Sequence, residues 1–147
     1  MIRPISVAEL REHGAALFPR HFAEVEAQHL GLVLDPDWDA FQHLEEWRRI
    51  LALGAFVDGA MVGYALAFIG PHPLYRSTIN AQLAAVYVAP EHRGKGLGAR
   101  LILQARGDAR DMGATTCTAH AKRGTAMADL LPRIGFDEHE TIFTERL

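Results

Sequence analysis

The sequence predicts a mixed α+β fold with one central sheet, in the element order β-α-α-β-β-β-α-β-α-β. Three observations favour this class. Asp58-Gly59 lies between two apolar runs, which is typical of a two-residue turn joining antiparallel strands. Residues 78–88 are apolar at successive positions, as in a central strand that is buried on both faces. Residues 97–112 instead repeat their apolar side chains at helical spacing, which predicts a helix packed on the sheet.

The other elements follow from apolar periodicity and from glycine and proline stops. Ser6 and Glu9 have the spacing of a capping box, which starts the first helix. Gly54 and Gly113 follow helically periodic segments, where helices commonly end. The predicted strands are 2–6, 55–57, 60–69, 78–88, 115–120 and 140–146; the predicted helices are 7–31 with a break near Gly14 or Pro19, 38–53, 97–112 and 125–134; and 70–77 is predicted to be a loop.

Length and composition narrow the class of protein. The 147 residues suit one domain, 1–147, and a net charge of −3 disfavours a general nucleic-acid binder. A single cysteine, Cys117, excludes an intrachain disulfide and a cysteine zinc cluster, and it favours the cytoplasm. No apolar run approaches the ~20 residues that a membrane-spanning helix needs. We therefore expect a cytoplasmic, single-domain protein.

The most informative stretch lies between Val86 and Arg100. It reads as an apolar strand, a proline stop, a basic glycine-rich turn and the start of an amphipathic helix. Glycines let the backbone approach a ligand closely, and a helix N-terminus offers unpaired N–H groups with a partial positive charge. Arg93 and Lys95 add formal charge. The stretch therefore predicts an anion site suited to a pyrophosphate.

Two common phosphate-binding motifs fit this turn poorly. A P-loop requires a Ser or Thr directly after its lysine, and here Lys95 is followed by Gly96. A dinucleotide-binding fingerprint has the spacing G-x-G-x-x-G within a βαβ unit. The glycines here, Gly94, Gly96 and Gly98, have the spacing G-x-G-x-G, and the predicted antiparallel strands precede them.

A third motif fits. Arg93-Gly94-Lys95-Gly96-Leu97-Gly98 resembles the [RQ]-x-x-G-x-[GA] acetyl-CoA signature of the GNAT N-acetyltransferase superfamily. Residues 87–93 resemble the end of that family's fourth strand, and Gly135-Phe136 resembles its closing Gly-Phe pair. The resemblance implies a GNAT-like sheet that is splayed between strands 4 and 5. It also implies an acyl-CoA-dependent N-acyltransferase, using acetyl-CoA and no metal, in which a primary amine attacks the thioester directly in a ternary complex.

The same resemblance assigns the residues that hold the cofactor. The pantetheine arm would pair with the backbone of Val86 and Val88 like an added strand. The pyrophosphate would lie on the amides of residues 93–99, and an N–H near Val86 or Tyr87 would polarise the acetyl carbonyl. The cofactor-binding set is Val86, Tyr87, Val88, Arg93, Gly94, Lys95, Gly96, Leu97, Gly98 and Ala99.

The proton-transfer residues depart from the family pattern. Leu131 occupies the place of the tyrosine that usually serves as the acid, and residues 82–85 include no carboxylate. His120, at the end of the predicted fifth strand, and Tyr75, in the loop before the fourth, are the catalytic candidates. Their structural alternatives are an exposed or capping histidine and a loop aromatic. Glu24 and Glu26 would act only through water, and a solvated helix face explains them better.

The acceptor is expected to be a small-molecule amine or an exposed protein or peptide amine. In this fold it would lie over the first two helices and the loop before the fourth strand. Those segments contain His29, Asp35, Asp37, Trp38, Asp39, His43, Glu45, Glu46, His72, Tyr75 and Arg76. Acidic groups beside an aromatic suit a cationic amine, although caps, a core anchor and a solvated face explain most of them. A second function, a CoA-binding module without efficient catalysis, stays open, and so does a homodimer.

Overall fold

The computed structural model describes residues 1–25 and 30–147. Within them, five helices and five strands follow one another along the chain, and a short 3-10 turn at Pro90–His92 precedes the fourth helix. The elements are β1 (Ile2–Pro4), α1 (Val7–Gly14), α2 (Phe18–Val25), α3 (Trp38–Glu46), β2 (Ile50–Val57), β3 (Ala60–His72), β4 (Tyr75–Val88), α4 (Leu97–Asp111), β5 (Thr116–Ala119) and α5 (Ala126–Arg133).

The strands form one five-stranded sheet in the order β1-β2-β3-β4-β5. The pairs β1–β2, β2–β3 and β3–β4 are antiparallel, and the pair β4–β5 is parallel. The predicted turn at Asp58-Gly59 joins β2 to β3, and both of its residues have positive φ, 49° and 81°. The mixed α+β class with one mostly antiparallel sheet is therefore confirmed.

Apolar side chains fill both faces of the sheet, as expected for strands that alternate between two covered faces. One face packs against α4 and α5, where Leu53, Leu83, Leu101 and Ile102 are fully buried. The other face packs against α1, α2 and α3, around the fully buried Leu10. The fourth strand contributes to both cores, which makes it the central strand that its sequence predicts.

In the first half, the structure shortens one predicted helix and shows where another is broken. The predicted helix at 38–53 ends at Glu46, because Arg48 adopts a positive φ of 55° and residues 50–57 form β2 between β1 and β3. An apolar run that is buried on both faces carries no periodicity with which to separate a strand from a helix. The predicted helix at 7–31 is broken after Gly14, at the first of the two predicted sites. His29 and Glu26 lie outside the described residues.

Two predictions in the second half also need correction. The predicted loop at 70–77 is mostly strand, since β3 and β4 continue their pairing to His72 and Tyr75. The predicted strand at 140–146 does not form, and residues 137–147 have no helix or strand. Its Ile142 and Phe143 alternate with polar neighbours, but both are exposed. Because a strand is stable only when its backbone groups are paired, the pattern alone cannot produce one.

Candidate active site

A gap opens beside the second half of β4. The parallel pairing joins Asn80–Leu83 to Thr116–Ala119, and β5 ends there. From Ala84 to Val88, β4 continues with β3 on one side and no described strand on the other. A register shift opposite Leu66 and Ala67 leaves Ala84 as an extra residue, a β-bulge, where the two strands separate. We call the space past Leu83 and Ala119 the splay gap, and it matches the predicted opening between strands 4 and 5.

Along β4, the peptide N–H and C=O groups of successive residues point alternately toward β3 and toward the splay gap. The Ala89 N–H donates to the Val62 carbonyl of β3 at 2.8 Å. Since successive residues of a strand point their peptide groups to opposite sides, Val86 and Val88 face the gap and Tyr87 faces β3. The Val88 carbonyl accepts a hydrogen bond from Arg93 Nε at 2.8 Å. The peptide groups of Val86 thus remain as the pairing edge for an extended ligand.

The glycine-rich turn leads directly from this edge into α4. Gly94 and Gly96 have φ of 81° and 71°, a region that favours glycine, and Gly96 is the N-cap of α4. The first intrahelical bond runs from the Arg100 N–H to the Gly96 carbonyl. The N–H groups of Leu97 to Ala99 therefore lack intrahelical partners and point out of the helix end. These groups and the exposed Lys95 lie where the motif predicts an anion site, and we call them the anion cradle.

Gly98 differs from the other two glycines of the turn. Its φ lies in the ordinary helical range, and a Cβ built on it would approach nothing more closely than Val88 Cγ2, at 3.9 Å. The protein itself would accept alanine at this position. Neither the backbone conformation nor the packing of the described residues requires glycine at position 98.

The Arg93 side chain makes its contacts within the protein. Its guanidinium pairs bidentately with Glu24 of α2, at 2.6 and 2.8 Å, and its Nε donates to the Val88 carbonyl. Its backbone N–H donates to the Pro90 carbonyl at 3.2 Å. The hydrogen bonds from Arg93 lower the pKa of the Glu24 carboxyl, and those to Glu24 raise the pKa of Arg93. Arg93 thus connects α2 to β4, and the cofactor-binding roles of Arg93 and Lys95 both stay predictions.

A second ion pair connects α2 to the same turn. Arg20 contacts Glu91 at 2.7 Å, and its hydrogen bonds lower the pKa of Glu91 from 4.5 to about 2. Between the two pairs, Tyr87 is buried and stacks on His21 with ring centroids 4.8 Å apart. Burial raises the pKa of Tyr87. Tyr87 is thus a packing residue whose side chain faces the helices, while its strand borders the splay gap.

His120 stands at the mouth of the splay gap. It directly follows Ala119, the last paired residue of β5, and its side chain is exposed. Its Nδ1 lies 3.4 Å from Nε2 of Gln82 on β4. The structure therefore brings His120 to the point where the two strands part, which is where an acyl group would lie if the pantetheine arm paired with Val86.

The structure does not bring Tyr75 to this point. Tyr75 begins β4 at the far tip of the β3–β4 hairpin, where it packs against His72 with centroids 4.5 Å apart and is 60% exposed. Eight residues separate it from Leu83, which corresponds to about 27 Å along a strand. Leu131, at the position of the usual tyrosine, is buried in the core beside α4.

Several acidic residues that the sequence offered for the acceptor serve as helix caps. Asp37 Oδ1 accepts from the Ala40 N–H at 2.9 Å and begins α3. Glu45 Oε1 accepts from the Val7 N–H at 2.8 Å and so caps α1 from a distance. Asp37 is thus the helix cap that was expected, whereas Glu45 satisfies an unpaired N–H group at the start of α1 instead of lying on a solvated face.

Sequence reasoning missed a row of polar side chains beside the gap, which we call the polar ladder. The Thr116 hydroxyl donates to Asn80 Oδ1 at 2.9 Å, and Asn80 Nδ2 donates to Thr118 Oγ1 at 3.1 Å. Gln82 and His120 extend the row. The alternation of polar and apolar residues in both strands was the available signal, but only the parallel register shows which side chains meet.

Comparison with known proteins agrees with this architecture. The model of the Acetyltransferase (GNAT) family matches residues 15–136, so the chain belongs to that family. It is an enzyme of the N-acetyltransferase class. No curated protein sequence matches the chain.

Solved structures share the fold along the whole chain. A ribosomal-protein-alanine N-acetyltransferase from Brucella melitensis is 23% identical with a TM-score of 0.70, covering 100% of this chain and 99% of its own. An aminoglycoside acetyltransferase from an uncultured soil metagenomic sample is 20% identical with a TM-score of 0.78, covering 100% and 97%. An aminoglycoside N-acetyltransferase in complex with CoA is 19% identical with a TM-score of 0.74, covering 100% and 98%.

No helix within residues 1–25 and 30–147 has the length and apolar character needed to cross a bilayer. The same residues contain no group of three or more His, Cys, Asp or Glu side chains arranged to hold a metal ion.

Proposed function

We propose that the protein transfers the acetyl group of acetyl-CoA to a primary amine by direct attack in a ternary complex. The splay gap is the observation that carries this proposal. It presents the unpaired edge of β4 at Val86 and leads into the N–H groups of Leu97 to Ala99. An extended arm with a pyrophosphate at one end has the shape and charge that these two neighbouring features accept.

The chain's own groups would position the reaction. When bound, acetyl-CoA supplies the thioester carbonyl and the thiolate leaving group. Val86 holds the extended arm by strand-like pairing, and the first turn of α4 with Lys95 holds the pyrophosphate. The backbone N–H of Val86, which faces the splay gap, stabilises the negative charge that develops on the carbonyl oxygen. Most of the rate then comes from orientation and electrostatics.

His120 is the group that we propose for proton transfer. It stands where β4 and β5 separate, so it can reach an acyl group that lies in the splay gap. An imidazole suits proton transfer near neutral pH. Tyr75 stays a prediction with little support, because its distance along β4 exceeds the reach of a side chain.

The acceptor is proposed only as a class. The structurally similar proteins include enzymes for a ribosomal protein's alanine and for aminoglycosides, so their acceptors are a protein amine and small-molecule amines. We therefore propose a small-molecule amine or an exposed protein or peptide amine for this chain. A single domain over 1–147, a cytoplasmic location, a metal-free reaction and a homodimer stay predictions.

Two measurements on the full chain test the proposal. Calorimetry with CoA measures binding, and release of free thiol from acetyl-CoA, over a panel of amines and peptides, measures transfer. We expect CoA to bind and at least one amine to accelerate thiol release, with an acetylated product visible by mass spectrometry. Tight CoA binding with no turnover on any acceptor would favour the binding module, and no binding would contradict both functions.

A further inference from the structure

The turn that follows β5 contacts α2 at the mouth of the splay gap. Lys122 Nζ donates a hydrogen bond to the carbonyl of Val25, the last residue of α2. A lysine in this place offsets the partial negative charge of a helix C-terminus. Because Lys122 comes just after His120 in the chain, the contact places the end of α2 beside the point where β4 and β5 part.

The C-terminal segment reaches the same side of the molecule. It leaves α5 at Phe136, which packs on the α4 face of the sheet with its ring 5.9 Å from the Arg106 guanidinium. Near its end, Arg146 lies against Gly31, a few positions beyond α2: a Cβ built on Gly31 would be 2.6 Å from Arg146 Nη1. The segment therefore passes from the α4 face to the α2 side, and it brings a guanidinium to the chain that follows α2.

The two arginines of these segments, Arg123 and Arg146, are exposed and form no ion pair with any described residue. Arg123 directly follows Lys122 in the turn after β5, and Glu145 precedes Arg146 without pairing with it. A guanidinium presents its N–H donors in a planar fork that matches carboxylate and phosphate oxygens. Both arginines therefore have donors and charge available for a ligand.

The carboxylates on the α2 side are largely used within the protein. Glu24 pairs with Arg93, and Asp37 caps α3, while Asp35 is exposed in the chain before that helix. An acceptor with several positive charges would need several unengaged carboxylates around it, since complementary charge selects a ligand. The described residues next to the splay gap instead present guanidinium groups.

We infer that the acceptor amine carries a negatively charged group, a carboxylate or a phosphate, which the guanidinium groups of Arg123 and Arg146 recognise at the mouth of the splay gap. This inference rests on the proposed function and narrows its acceptor class. The same positive charges favour the neutral form of the attacking amine over its ammonium form, because like charges repel. Only the neutral form has the lone pair that attacks the thioester.

Matched acceptors of opposite charge test the inference on the full chain. γ-Aminobutyrate and putrescine have equal numbers of carbon atoms and end in a carboxylate and an ammonium, respectively. The peptides Ala-Asp-Asp and Ala-Lys-Lys place the same two kinds of charge beside an α-amine. We expect kcat/KM, measured by thiol release at low salt, to be about tenfold higher for the anionic member. Added salt should reduce this ratio, because ions screen exposed charges. A ratio that appears in one pair alone identifies the source of the amine as small molecule or peptide.

Charge reversal tests whether the two arginines cause the preference. Arg123→Glu and Arg146→Glu should each lower kcat/KM for the anionic acceptor about tenfold and raise it for the cationic one, with KM for acetyl-CoA unchanged. Arg110→Glu makes the same change on an exposed position in the last turn of α4, at the helix end remote from the anion cradle. It should keep the wild-type ratio of the two acceptors.

Equilibrium binding separates this inference from the proposed function. NMR spectra of the CoA-loaded protein follow the backbone amides of residues 120–123 as each acceptor is added, and we expect the anionic members alone to shift them. Equal kcat/KM within both pairs, a cationic preference, or arginine variants that lose CoA affinity but keep the acceptor ratio would overturn the inference. Binding of an anionic acceptor without turnover would contradict the proposed function alone. Neither turnover nor binding would overturn both.

Discussion

The two halves of the candidate site are built from different parts of the chain. The cofactor half, Ala84–Val88 with the turn at 93–99, uses backbone groups, positive-φ glycines and a helix start. The half that we propose for proton transfer is the polar ladder ending at His120, and it uses side chains on two strands that are distant in sequence. A site built from backbone groups needs particular residues in a fixed local order. A site built from side chains needs only a strand register that brings those side chains together. Local sequence therefore constrains the cofactor half more than the other half.

The largest expected effect is a loss of CoA affinity when a side chain is added in the turn beside the anion cradle. Gly96→Val should weaken CoA binding about 100-fold or more, roughly 2.8 kcal/mol, because a side chain would intrude on the phosphates. It also places a branched residue at φ 71°, which strains the turn. Calorimetry with CoA measures the affinity, and thermal unfolding measures the strain.

Gly98→Ala is the matched variant that removes the strain. Its backbone is helical and the new Cβ would have room, so we expect unchanged stability or a gain of up to about 1 kcal/mol. CoA affinity should nevertheless fall at least tenfold, since that Cβ would enter the ligand's space. Wild-type affinity in Gly98→Ala would exclude the pyrophosphate from these N–H groups.

A smaller effect tests whether Arg93 belongs to the cofactor half or joins the two halves. If it braces α2 against β4 through Glu24, then Arg93→Met and Glu24→Gln should weaken CoA binding by similar, few-fold factors. The double variant should be no worse than either single one, because both remove the same interaction. We would measure all three dissociation constants by calorimetry. A large loss in Arg93→Met alone would instead indicate direct contact with phosphate.

The smallest effect concerns the second ion pair of α2. The pKa of Glu91 is lowered from 4.5 to about 2 by Arg20, so its contribution to stability is present above pH 4.5 and is lost as the pH falls toward 2. Glu91→Gln should therefore lessen the acid-induced loss of stability between these pH values, as measured by urea unfolding. Glu9, in the capping box of α1, has a pKa of about 2 with a partner outside the site. Glu9→Gln should lessen the same acid-induced loss, but only Glu91→Gln should also change CoA affinity.

Local features of the fold could be predicted from the sequence, whereas features that depend on distant partners could not. The Asp58-Gly59 turn and the helix starting at Leu97 are local features, and both were predicted. The strand at 50–57 and the absence of a strand at 140–146 depend on which partners are available, which local patterns do not contain. Within the site, the glycine turn could be predicted from the sequence. The bidentate pair of Arg93 with Glu24 could not, because it joins positions 69 residues apart. Such contacts follow from the packed structure alone.

The extra residue at Ala84 has a consequence for how β4 can change. Before it, Ala81 and Leu83 face α4, and after it Val86 and Val88 do. The bulge thus resets the two-residue rhythm in mid-strand, and Ala84 itself is exposed. Deleting Ala84 would place Leu83 next to Ala85, so the alternation would run without a break and Val86 and Tyr87 would keep their present faces and β3 partners. The extra residue therefore contributes a local bend and twist at the point where the strands separate, while the faces of Val86 and Tyr87 are set by their pairing with β3.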